Sequence, residues 1–182
     1  IGFVGLFKMG IEWLKEQTIF SKNDTKELEK SSGDYAKIGS SGYGAQIGSS
    51  GDGAKIGSSG NYAKIGSSGD DAQIGSSGDD AQIGSSGDGA QIGSSGYGAK
   101  IGSSGYGAKI GSSGKNSVVM CAGNNSIAKA KIGSWITLAE WERDDNGDWI
   151  PINVVTKRVD GVEIKEDTYY KLVNGVFTEV DR

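Results

Sequence analysis

Residues 34–51 read DYAKIGSSGYGAQIGSSG, and the same nine-residue phrase then continues without losing phase. Alanine recurs at 36, 45, 54, 63, 72, 81, 90, 99 and 108. Isoleucine follows two places later, from Ile38 to Ile110, and serine two places after that, from Ser40 to Ser112. Two looser units come next: KNSVVMCAG, with Val119 in the isoleucine slot, and NNSIAKAKI, with Ala128 there. A fixed period of this kind is the signature of a repeat architecture. In Ala-x-Ile-x-Ser the three named side chains share one face of a strand, and Lys or Gln and Gly take the other. The Ser-Gly-x-x that follows is a turn, because glycine reaches positive φ without steric cost.

One short strand and one corner per nine residues predicts an all-β fold, a β-solenoid. A single unit cannot bury its apolar face, and only stacking of units makes a continuous core. The inward ladders are small, so the core is thin. Two repeats per coil give a flattened 18-residue coil of two facing sheets, with about five coils over 34–132 at ~4.8 Å each. A triangular coil of three repeats is the competing reading. Glycine is frequent enough in this stretch for a flexible linker. A linker, however, has no reason to hold isoleucine at one phase through nine units.

Composition narrows the chemistry. The chain has 182 residues, no histidine, one cysteine and a formal net charge of −4. Absence of histidine excludes Ser-His-Asp and Cys-His catalysis and every His-ligated metal site. Cys121 alone makes neither an intramolecular disulfide nor a cysteine zinc cage, and it leaves the redox compartment unread.

The flanks differ from the repeats. Residues 1–20, IGFVGLFKMGIEWLKEQTIF, read as an amphipathic helix capping one open end of the solenoid, where free strand edges would otherwise pair with other chains. Four charges, Lys8, Glu12, Lys15 and Glu16, argue against a membrane span. Residues 21–33 read as a polar connector. Residues 133–182 read as a small antiparallel β unit at the other end. Its strands are SWITLAEWE and DWIPINVVTKRV, joined at Asp144–Gly147, with hairpin signals at Asp160-Gly161 and Asn174-Gly175. Its aromatics, Trp135, Trp141, Trp149, Tyr169 and Tyr170, are expected in its core.

Three segments carry a resemblance: Ile1–Glu16, Gly123–Trp141 (GNNSIAKAKIGSWITLAEW) and Val159–Val180 (VDGVEIKEDTYYKLVNGVFTEV). Together with the repeats they are similar to a group of phage and prophage proteins of unknown function. The resemblance implies a phage setting and supplies no activity and no catalytic residue. Members of that group usually carry a further N-terminal domain, so the resemblance implies a truncated or processed form here.

Other chemistries fit the repeat poorly. Calcium β-roll repeats need a regular turn Asp, and here Tyr43, Asn61, Tyr97 and Tyr106 interrupt it. Flat ice-binding faces need a regular threonine array, which the repeats lack. The pairs Asp70-Asp71, Asp79-Asp80 and Asp144-Asp145 sit in turns, where Asp bonds its local backbone, and no serine has a base beside it in sequence. The reading is therefore of a non-enzyme with no cofactor and no metal.

The expected function is that of a phage-type interaction protein in the host cytoplasm, an inhibitor of a host defence protein with a basic or nucleic-acid-binding groove. The competing expectation is a virion component or adhesin. With 18 residues per coil, Asp34, Asp52, Asp70 and Asp88 fall on one corner line with Asp71 beside them, and this acidic edge is the candidate partner-binding surface. Phe3, Leu6, Phe7, Ile11 and Trp13 are the candidate contacts of a homodimer.

Overall fold

Each Lys/Gln-Ile-Gly-Ser run is extended, with isoleucine and serine turned in. The computed structural model describes residues 18–21 and 28–181, and no helix occurs among them. The elements open with β1 (Thr18–Ser21) and β2 (Leu28–Ser31). The regular strands are β3 (Lys37–Ser40), β4 (Gln46–Ser49), β5 (Lys55–Ser58), β6 (Lys64–Ser67), β7 (Gln73–Ser76), β8 (Gln82–Ser85), β9 (Gln91–Ser94), β10 (Lys100–Ser103) and β11 (Lys109–Ser112). Then come β12 (Val118–Cys121), β13 (Ile127–Lys129), β14 (Trp135–Arg143), β15 (Trp149–Arg158), β16 (Tyr170–Val173) and β17 (Val176–Glu179).

As far as β14, odd and even strands separate into two sheets. One has nine strands, in the order β1-β3-β5-β7-β9-β11-β13-β16-β17, and the other eight, β15-β14-β12-β10-β8-β6-β4-β2. From β2 to β13 the solenoid pairing is parallel and joins residues eighteen apart, as in Ile38↔Ile56 and Ile56↔Ile74. The coil is therefore two repeats long, about six turns in all, and the triangular coil is excluded.

The core lies between the sheets. Ala54, Ala63, Ala72 and their successors are fully buried, and the isoleucines from Ile38 to Ile110 are buried beside them. Each inward isoleucine contributes about 1.5–3 kcal/mol of transfer free energy. The small alanine at each strand entrance lets the two sheets approach at the corner. Backbone hydrogen bonds extend the ladder beyond the strands, from Lys55 N–H to Ala36 O and so on to Ile127 N–H to Ala108 O.

A second glycine, that of Ser-Ser-Gly, is fixed by stacking. A Cβ on Gly69 would collide with the carbonyl oxygen of Gly51 directly beneath it. The same holds at Gly51, Gly60, Gly78, Gly87 and beyond. No other residue type fits there.

The C-terminal unit begins as a continuation of the rod. β14 pairs in parallel with β12, so Ile136 and Leu138 prolong the inward ladder above Val119 and Cys121. Antiparallel strands then end both sheets, β15 on β14 and β16 on β13, with β17 beyond β16. The Glu140 carboxylate fastens the hairpin between β16 and β17: it accepts the N–H groups of Asn174 (2.7 Å) and Gly175 (2.8 Å) and the Asn153 amide (2.9 Å). These donors, Gly175 foremost, hold Glu140 below the usual carboxylate range.

Several expectations need correction. Of the expected capping helix, residues 1–17 lie outside the described residues, and Thr18–Phe20 belong to β1, paired Ile19↔Ile38. The expected connector contains β2, because Ser31-Ser32-Gly33 already repeats the corner and Glu29 occupies the isoleucine slot opposite Ile47. Asp160-Gly161 forms no hairpin: the Asp160 carboxylate instead gathers the N–H groups of Val162, Glu163 and Ile164. Tyr170 is buried, but Trp135 and Trp149 are about half exposed, because no second sheet covers the outer face of β14 and β15. Trp149 packs instead beneath the Arg143 guanidinium, 4.8 Å from its ring centre.

Candidate interaction surface

The corners carry nearly all the sequence variation of the repeat. Each has two variable residues between the Ser-Ser-Gly glycine and the buried alanine. The second adopts positive φ in every unit. Glycine supplies it at Gly44, Gly53, Gly89, Gly98 and Gly107, and side-chain-bearing residues supply it at Tyr35, Tyr62, Asp71, Asp80, Asn116 and Asn125. Asp and Asn tolerate this region better than most residues, and tyrosine there is uncommon. The Tyr35 ring lies over Gly53 and the Asp71 carboxylate over Gly89, where a Cβ on the glycine would leave no room.

The first variable residue builds a ladder between coils. Asp52 N–H donates to the Asp34 carboxylate (3.1 Å), Asp70 N–H to Asp52 (2.9 Å), Asp88 N–H to Asp70 (2.8 Å) and Tyr106 N–H to Asp88 (2.7 Å). The opposite corner repeats the arrangement with Asp79 N–H on Asn61 (2.9 Å) and Tyr97 N–H on Asp79 (2.8 Å). The second residue's N–H bonds the carbonyl of the next coil, as from Gly53 to Asp70 and from Asp71 to Asp88. These corner amides thus have partners even though the strands have ended.

The structure brings Asp34, Asp52, Asp70, Asp71 and Asp88 together on the corner where the chain passes from the eight-stranded to the nine-stranded sheet. All five are exposed. None makes an ion pair among the described residues, where the ion pairs are Lys131 with Glu166 and Asp167, Lys157 with Glu163, and Lys165 with Glu179. One oxygen each of Asp34, Asp52, Asp70 and Asp88 is held by a backbone amide, which fixes the direction of the carboxylate. The opposite corner is mixed: Tyr43, Asn61, Asp79, Tyr97 and Lys115, with Tyr62 and Asp80 alongside. The Tyr43 and Tyr62 rings meet there at a tilt, with centres 5.1 Å apart.

The carboxylate-to-amide ladder was not foreseen from sequence, although polar residues with a side-chain oxygen at eighteen-residue spacing are its signal. The five candidate dimer contacts, Phe3, Leu6, Phe7, Ile11 and Trp13, lie outside the described residues. Among the described residues no group of three acidic or cysteine side chains could hold a metal ion. Asp144 of the Asp144-Asp145 pair caps its own turn, accepting the N–H groups of Asn146 and Asp148. No helix of the described residues is long and apolar enough to cross a membrane.

Fold and corners together define a two-sheet β-solenoid with one acidic edge. No protein-family model matches the chain, and no curated protein or solved structure is found similar to it.

Proposed function

We propose that the protein is a non-catalytic binding module that presents its acidic corner to the basic groove of a protein partner. The observation that carries this reading is the row Asp34, Asp52, Asp70 and Asp88, each carboxylate fixed by the amide of the next coil. Carboxylates stacked one strand spacing apart repel each other by roughly 1 kcal/mol in water. A solvated corner tolerates that repulsion, and a cationic partner relieves it. Regularly spaced negative charge also resembles, in outline, the backbone of a nucleic acid. A groove built to bind phosphates is therefore a fitting site, and occupying it would inhibit the partner stoichiometrically.

The resemblance to phage and prophage proteins supports a host protein, a defence protein among them, as the partner, and the host cytoplasm as the place of encounter. Such a contact forms quickly and weakens steeply with salt. Affinity capture of the full chain from phage-infected cells, eluted over a salt gradient and read by mass spectrometry, tests this reading. A partner with a basic groove, released at moderate salt, supports it. Recovery of virion structural proteins instead, insensitive to salt, overturns it.

A further inference from the structure

The inward serine of every repeat from Ser49 to Ser103 has a hydroxyl with no hydrogen-bond partner among the described residues. Each of these serines is only 4–7% exposed, so bulk solvent does not reach it. A buried hydroxyl left unpaired forfeits its hydrogen bonds to water with nothing in exchange. Summed over all these repeats, that loss is comparable to the whole net stability of an ordinary domain. Alanine, which the repeat already uses at the other inward corner position, would avoid it.

The serines stack in two columns, one at each corner. Ser49, Ser67, Ser85 and Ser103 pair in register in the eight-stranded sheet. Ser58, Ser76, Ser94 and Ser112 do the same in the nine-stranded sheet. At ~4.8 Å between coils, one hydroxyl cannot reach the next. An oxygen midway between them, about 1.4 Å off the line, lies about 2.8 Å from both, the ordinary O–H···O distance.

The C-terminal coils show independently that these corners accept a further oxygen. Where Ser117 replaces the corner alanine, its hydroxyl meets Ser112 Oγ (2.8 Å) and donates to Gly114 O (3.2 Å). Ser126, in the same slot, accepts from Ala108 N–H (3.1 Å) and donates to Gly105 O (3.3 Å). Neither disturbs the pairing, since Val118 stays opposite Lys100 and Ile127 opposite Lys109. The corner interior is therefore polar as well as narrow, and its backbone supplies partners.

We infer that water supplies that oxygen in the regular coils, one molecule between each two stacked serines, in two files along the rod. Each water takes two serine hydroxyls and one corner backbone group, the usual three partners of a buried water. Four serines per column leave three intervals, so the two files hold six waters. At about one buried water per 27 residues, that is an ordinary load for 182 residues. The file under the nine-stranded sheet ends on Ser112, whose hydroxyl passes to Ser117 and the Gly114 carbonyl. The inference concerns interior hydroxyls, and stands or falls independently of the acidic corner.

The test is oxygen-17 magnetic relaxation dispersion of the full chain, which detects long-lived internal water and is blind to hydroxyl proton exchange. The wild type is expected to show a dispersion. The variant Ser67→Ala, Ser76→Ala, Ser85→Ala, Ser94→Ala touches every interval, and its amplitude should fall at least about twofold. Its melting temperature should also fall, because alanine removes the bonds to water without filling the space. Ser76→Ala alone, which touches two intervals of the six, should lower the amplitude by about a third if the quadruple variant does not fold. A wild type without dispersion, or variants with undiminished amplitude, would overturn the inference. A quadruple variant that melts at or above the wild-type temperature overturns it too, since the hydroxyls would then be unpaired.

Discussion

The backbone N–H of Asp88 donates to the carboxylate of Asp70 at 2.8 Å, across eighteen residues of sequence and one coil of the rod. That bond gives a corner aspartate two separable properties, an acceptor oxygen for the coil above and a charge toward solvent. Asparagine keeps the first and lacks the second, and Asn61 already performs the acceptor role on the other corner. Asp70→Asn should therefore leave the melting temperature nearly unchanged, while Asp70→Ala loses the bond, about 1 kcal/mol. Thermal melts by circular dichroism separate the two. Equal destabilisation by both would mean that the charge, not the oxygen, stabilises the corner.

Gly69 and Gly75 are separated by six residues and should respond oppositely. Gly69→Ala forces a methyl group against the Gly51 carbonyl, and that overpacking should cost about 2–3 kcal/mol. Gly75→Ala places a methyl group in open space and should stabilise by up to about 1 kcal/mol. Urea midpoints of the two variants provide the comparison.

Ile74 and Ile83 lie on facing sheets, 3% and 4% exposed. Changing both to Asp would put two charges into a dry, narrow core. The expected result is loss of the strand signal in far-UV circular dichroism at room temperature. A variant that melts like the wild type would overturn the inward assignment.

Acid should loosen the C-terminal hairpin first. The N–H of Gly175, then the Asn153 amide and the N–H of Asn174, lower the Glu140 carboxyl from an ordinary value of 4.5. A carboxyl lowered in the folded state contributes stability that is fully present above its unfolded value and is lost as pH falls through the folded one. Hydrogen-exchange protection factors of residues 170–179, corrected for the intrinsic rate at each pH, should therefore fall below about pH 4. Glu140→Gln should show lower protection at neutral pH and a smaller further loss with acid.

Cys121, the last residue of β12, is buried beside Leu138 of β14, and burial pushes its thiol up to about 12. A maleimide should leave the native chain unlabelled at pH 8 and label it fully in denaturant. Rapid native labelling would mean that the C-terminal coils open.

The solenoid was legible because one signal, the unbroken phase of Ala, Ile and Ser, fixes both period and facing. Coil length was legible as the better of two readings, decided by Ile38 pairing with Ile56. The start of the rod was not, because Leu28-Glu29-Lys30 replaces Lys-Ile-Gly with a charge at the inward slot, hiding a strand that β4 nonetheless templates. The exposed tryptophans were misread because large aromatics signal burial only where a second layer exists. The acidic line was legible from spacing alone. Its amide bonds were not, since they depend on the rise between coils rather than on any local pattern.

The acidic corner is tested most directly by the variant Asp52→Asn, Asp70→Asn, Asp71→Asn, Asp88→Asn, compared with the wild type in capture of the same partner from infected cells. Asparagine at 52, 70 and 88 keeps the ladder acceptors, and the four changes together remove four charges, so the melting temperature should hold. Capture of the partner at physiological salt should be abolished. Recovery of the same partner in equal yield, at physiological salt and again in high salt, would contradict the account and reduce the corner to a solvated edge.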